Sequence, residues 1–158
     1  MNTTTDDDLL LERQLCFALS VASRSVVGAY RPVLEELELT HPQYLVMLAF
    51  WEESPRTVKS IGLALAMESA TLSPMLKRLE ARGLLTRSRV PGNERALAVD
   101  LTPAGRDLRS KALPVPVTMM KRLGLTREQV DILNDAMRAV IHATGTELPP
   151  SGRTQSVP

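Results

Sequence analysis

With 158 residues and 44% apolar content, the chain can build one packed core but not two, and it is not a disordered sequence. Nineteen Lys and Arg against 18 Asp and Glu leave it nearly neutral, so a charged partner has to be sought in a local patch. The longest unbroken apolar run, residues 45–51, is far too short to span a bilayer, and one cysteine excludes an internal disulfide or a multi-cysteine zinc site.

Residues 1–8 are polar and expected to be disordered. Asp6-Asp7-Asp8 sits where a secretory leader would be basic, so no leader is expected and the expected compartment is the cytoplasm. A long helix is predicted from about Leu9. Leu15, Leu19, Ala22 and Val26 form one stripe, and Cys16, Ser20, Ser23, Val27 and Tyr30 form a second beside it. Two adjacent stripes suggest burial against both the chain itself and a partner. Pro32 should bend this helix near Gly28 rather than necessarily end it. Thr40 and Gln43 then make a capping box, with Leu39 and Tyr44 as its staple, for a helix carrying Tyr44, Leu48 and Trp51.

From Thr57 the pattern is that of a DNA-binding module. Val58, Ile61 and Leu65 recur at helical spacing, and a break follows at Glu68-Ser69. Leu72, Met75, Leu76 and Leu79 form the buried stripe of a second helix whose other face is polar or basic. Two short helices joined by a tight turn describe a helix-turn-helix. Ser69, Thr71, Ser73, Lys77 and Arg78 are the candidates for contact with bases and phosphates. Pro74 lies beyond the harmless first position and is expected to tighten or kink the first turn.

Gly83 supplies a helix C-cap, and two strand-like runs, residues 84–90 and 95–101, flank a turn at Pro91-Gly92-Asn93-Glu94. Arg87, Arg89 and Arg95 stand around the tip of this hairpin. Between Ser69 and Arg95 there are six Lys and Arg against two Glu. A basic helix followed by a hairpin with arginines argues for phosphate contacts rather than a merely solvated face. Thr102-Pro103 begins another helix, interrupted at Pro114 and Pro116. A second capping box at Thr126 and Gln129 starts the last helix, which Gly145 ends.

The predicted fold is mainly α with a small β-hairpin wing. The winged helix-turn-helix spans 57–102, helical dimerisation arms span 9–38 and 103–144, and a flexible tail spans 145–158. No cofactor is expected. His41 and His142 lack ligand-spaced neighbours, and neither a phosphate loop nor a serine nucleophile motif is present.

Taken together, LALAMESATLSPMLKRLEARGLLTR, NERALAVDLTPAG and the helix order resemble the MarR family over about residues 9–144. LERQLCFAL around Cys16, Tyr30, the PQY of residues 42–44 and TLSPMLKRLE are similar to its organic-hydroperoxide-sensing OhrR branch. The resemblance implies a homodimer built from the terminal helices. Each recognition helix would enter a major groove of double-stranded, pseudo-palindromic operator DNA, with each wing near a minor groove. It also implies that Cys16 is the peroxidatic thiol and that Tyr30 helps hold it. The branch commonly has tyrosines where this chain has Ser20 and His41. With no second cysteine, oxidised Cys16 would pair with a low-molecular-weight thiol, cyclise, or oxidise further. Two alternatives stand beside this redox repressor. One is release by a small aromatic or phenolic ligand held between the arms and the winged domains. The other is a thiol peroxidase, against which stand the missing resolving cysteine and the basic hairpin.

Overall fold

The computed structural model describes residues 5–150, apart from the side chains of residues 94–96. Among the described residues, seven α-helices and one antiparallel sheet follow two short 3-10 turns, Asp6–Leu9 and Leu11–Arg13. The first arm helix therefore starts later than its apolar pattern suggests. Leu10 and Gln14 are both extended, so α1 covers Leu15–Leu34. It continues through Pro32, and a further 3-10 turn, Glu35–Leu37, leads to Glu38 in the left-handed region.

Helix α2 (His41–Glu52) has the expected cap. The Thr40 hydroxyl accepts from the Gln43 N–H, and the Gln43 side chain accepts from the Thr40 N–H at 3.0 Å. Its buried face differs from the predicted one. Tyr44, Val46, Met47, Ala49 and Phe50 are buried, whereas Leu48 is exposed. The helix is apolar nearly all round, so periodicity alone could not select a face.

Strand β1 (Arg56–Thr57) is only two residues long. It lies beside β3 (Asn93–Leu101), which also pairs with β2 (Leu85–Val90) in a sheet of order β1-β3-β2. Helices α3 (Val58–Leu65) and α4 (Ser69–Ala81) form the helix-turn-helix. Helix α3 ends before the predicted break, because Ala66 already turns left-handed. The turn is tight: a Cβ on Gly62 would lie 2.9 Å from the Met67 carbonyl. At the far end of α4, Gly83 at φ +73° closes the helix, and Leu84 N–H returns to the Leu79 carbonyl.

Ile61, Leu72, Leu76, Leu79 and Val99 are fully enclosed and form the core with Met47 and Phe50 of α2. Helix α5 (Pro103–Ala112) is capped by Thr102 and packs on the wing's base so closely that its Gly105 has no room for a side chain. Helix α6 (Val115–Leu123) lies along α1, and α7 (Arg127–Ala143) starts with the predicted Thr126–Gln129 box. Helix α1 buries only Leu34, and α7 buries nothing within the single chain.

Candidate functional site

Helix α4 is positioned by its three leucines. At about 100° per residue, the line opposite Leu72, Leu76 and Leu79 runs through Ala70, Pro74, Lys77 and Ala81. All four are exposed. Ser69, Thr71, Lys77 and Arg78 are exposed around this line, and Ser73 is half-buried at its edge. Thr71, Ser73, Lys77 and Arg78 thus flank a narrow strip made by Ala70, Pro74 and Ala81. Pro74 lies within that strip, and α4 remains one continuous helix through it. The Glu68 carbonyl accepts from both Thr71 and Leu72 N–H, which tightens the first turn.

The hairpin has a two-residue turn at Pro91-Gly92, tighter than the predicted four, because Val90 already pairs with Asn93. Gly92 adopts φ +83° there, which favours glycine. Arg89 is exposed on the outer half of β2, whereas Arg87 is turned inward against α4. The side chain of Arg95 lies outside the described residues.

Two arginines of the basic segment serve the fold. Arg82 closes α4, and its guanidinium donates to the Glu38 carbonyl and, at 3.4 Å, to the Leu37 carbonyl. Arg87 Nε donates to Glu80 Oε1 at 2.6 Å. Neither use is visible in a count of charges. Lys77 and Arg78 carry the exposed positive charge of α4.

The second region lies on the arms. Cys16 is exposed in the first turn of α1, between Leu15 at 60% and Phe17 at 39% exposure. Ser20 is exposed one turn further along. Tyr30 is near the other end of the same helix, about 21 Å away at 1.5 Å per residue. There it meets His41 with ring centroids 5.1 Å apart, and Tyr44 at 5.9 Å. The structure thus brings Tyr30 and His41 together and leaves Cys16 and Ser20 apart from them.

Tyr44 is the third member of this group; in the sequence it stands only in the α2 staple and in the PQY of residues 42–44. Burial raises the Tyr30 phenol pKa. Burial and the adjacent Tyr30 push that of Tyr44 up to about 12. Burial also lowers the His41 pKa, so near neutral pH the three rings form an uncharged cluster that still carries polar hydrogens. Such a cluster can donate to an anion brought against it from outside. Among the described residues no group of three or more His, Cys, Asp and Glu could hold a metal, and no helix is long and apolar enough to cross a membrane.

The MarR family model matches residues 39–97. The organic hydroperoxide resistance transcriptional regulator of Bacillus subtilis is 42% identical over 134 residues, covering 85% of this chain and 89% of that protein. The HTH-type transcriptional regulator TtmR of Methylorubrum extorquens is 43% identical over 152 residues, 93% of this chain and 78% of its own length. Among solved structures, reduced AbfR bound to DNA superposes with a TM-score of 0.74 at 31% identity. That match covers 89% of this chain and 99% of the AbfR chain.

Proposed function

The chain belongs to the MarR family of winged-helix transcriptional regulators, and on that premise we propose a dimeric repressor that leaves its operator when an organic hydroperoxide oxidises Cys16. The DNA-binding part follows from the family and from the exposed, basic face of α4. The redox part rests on one observation: the single cysteine lies on an exposed apolar arm face of a chain 42% identical to a hydroperoxide regulator.

Helix geometry supports completion of the sensor by a second copy of the chain. Cys16 cannot meet Tyr30 within one chain, because α1 holds them about 21 Å apart. An antiparallel α1 from a second copy would bring each Cys16 toward the partner's aromatic cluster, with the two-fold axis crossing near Ser23, midway between them. Small residues there, Ala22 and Ser23, allow two helices to approach closely. Leu15, Phe17, Val21, Val26 and Val27, all more than a third exposed in the single chain, would be covered by the same contact. The arms would then comprise residues 9–38 and 103–144.

The Cys16 thiolate would attack the terminal oxygen of the hydroperoxide. An S–O bond forms as the O–O bond breaks, sulfur loses two electrons to the peroxide, and the alcohol leaves after taking a proton. The resulting sulfenate can condense with a small cellular thiol, releasing water, since no second cysteine exists in the chain. A group of that size in a packed interface forces the arms to shift. Bases would be met by Thr71, Ser73, Lys77 and Arg78, and phosphates by Ser69, Arg89 and Arg95.

An operator duplex selected by the reduced protein from a random-sequence library provides the test. Cumene hydroperoxide in the presence of a small thiol should release it, and salicylate-like phenols should not. Release by the phenol alone would overturn the redox reading in favour of a ligand-gated repressor.

A further inference from the structure

The basic composition of the segment puts Arg87 among the phosphate contacts, but its position in the fold gives it another role. Its Nε donates to Glu80 Oε1 at 2.6 Å, and both side chains are only 24% exposed. The distal Nη2 is buried too and has no hydrogen-bond partner among the described residues. A phosphate cannot reach the buried Nη2, and Nε is already engaged, so two of the three guanidinium nitrogens are withheld from DNA. Glu80 lies in the last turn of α4, and Arg87 lies on β2 opposite Val99 of β3. The pair therefore joins the helix that enters the groove to the hairpin that follows the backbone.

We propose that Glu80 and Arg87 are positioning residues for DNA binding: their ion pair fixes the angle between recognition helix and wing, and neither touches DNA. Two reading elements held rigidly bind together far better than two that move independently, because the second contact is then effectively intramolecular. Removing either partner leaves the other as a largely buried, uncompensated charge, which pushes helix and hairpin apart.

The test is a double-mutant cycle in operator binding, using the library-selected duplex and the full chain, each variant measured well below its own melting temperature. Glu80→Gln and Arg87→Gln should each weaken binding by roughly tenfold, and the double variant should be no worse than either single one. The dependence of affinity on salt should keep its slope in all three. A direct phosphate contact predicts the opposite: Arg87→Gln would reduce the slope by about two per dimer, and Glu80→Gln would free the arginine and tighten binding. Either of those results overturns the proposal. So do variants that lose stability yet bind like the parent protein. If Arg87→Gln does not fold, Glu80→Gln alone decides by the sign of its effect on affinity.

Discussion

Arg82, the residue that closes the recognition helix, donates to the main-chain carbonyl of Glu38, in the turn leading out of the first arm helix. Glu38 is left-handed at φ 53°, and three residues later His41 packs on Tyr30. One short turn thus has the reading helix attached at one end and the arm's aromatic cluster at the other. Movement of the arm against the winged unit would be passed to α4 through this latch.

Arg82→Ala is expected to lower the unfolding free energy by about 1–3 kcal/mol, since it removes hydrogen bonds from a charged donor to two carbonyls. It should also shrink the ratio of operator affinities between the reduced and peroxide-treated protein. Urea unfolding and operator titration of both forms read these two effects. An unchanged affinity ratio would place the route to the helix elsewhere.

Gly105 is a close contact between α5 and the wing. A Cβ built there would lie 2.1 Å from the Leu84 carbonyl oxygen and 3.2 Å from a Leu101 methyl. The Gly105 carbonyl also accepts the Trp51 indole N–H at 2.9 Å, so any shift of α5 disturbs α2 as well. Gly105→Ala should cost roughly 1–3 kcal/mol or more through overpacking, measured by urea unfolding. A neutral result would mean that α5 is free to move off the hairpin.

The exposed apolar surface of the arms predicts self-association. Ile132 and Leu133 of α7 are 61% and 48% exposed, with Leu15 at 60% on α1. In a family of dimeric regulators, a second copy is expected to cover apolar side chains left exposed on α1 and α7. Light scattering at micromolar concentration should give a dimer for the reduced protein and a monomer, or a much weaker dimer, for Leu133→Asp. A monomeric parent protein would remove the shared sensor site altogether.

The pH dependence of stability follows from two groups with separate windows. Burial holds His41 below its ordinary value of 6.5, so the unfolded chain takes up its proton first as pH falls. The contribution of neutral His41 is full above about pH 6.5 and declines from there toward its lower folded value. Asp100 is held below its ordinary 3.8 chiefly by the Ser54 hydroxyl, then by the Leu101 N–H and Arg106. Its contribution is therefore intact at neutral pH and is lost only in stronger acid. Urea unfolding between about pH 5 and 7.5 should show a slope that flattens in His41→Gln. Equal slopes in the two proteins would show that His41 is not the group responsible.

Much of this architecture is written locally. The boxes at Thr40 and Thr126, the cap at Thr102, the Gly83 turn and the leucine stripe of α4 each follow from a few neighbouring residues, and each forms as expected. The two-residue β1 could not be read, because Arg56 and Thr57 are extended only by pairing with Val99 and Ala98, more than 40 positions away. The start of α1 at Leu15 is hidden in the sequence because Leu9, Leu10 and Leu11 continue its apolar character without a cap to mark the boundary. The site divided in the same way. Exposure that is set by one helix's own apolar stripe, as at Lys77 and Arg78, is legible. Arg82, Arg87 and Tyr44 are not, since what they do is decided by Leu37, Glu80 and Tyr30 in other elements.

On this reading, oxidation of Cys16 and its capping by a small thiol take the protein off DNA. The most direct test is the operator affinity of Cys16→Ser with and without cumene hydroperoxide and a small thiol, beside the parent protein under the same conditions. Serine keeps the size of the side chain and removes the oxidisable sulfur. The variant should bind the selected operator within a few-fold of the reduced parent and hold it unchanged in peroxide, while the parent is released. Release of Cys16→Ser by peroxide, to the same extent as the parent, would contradict the account.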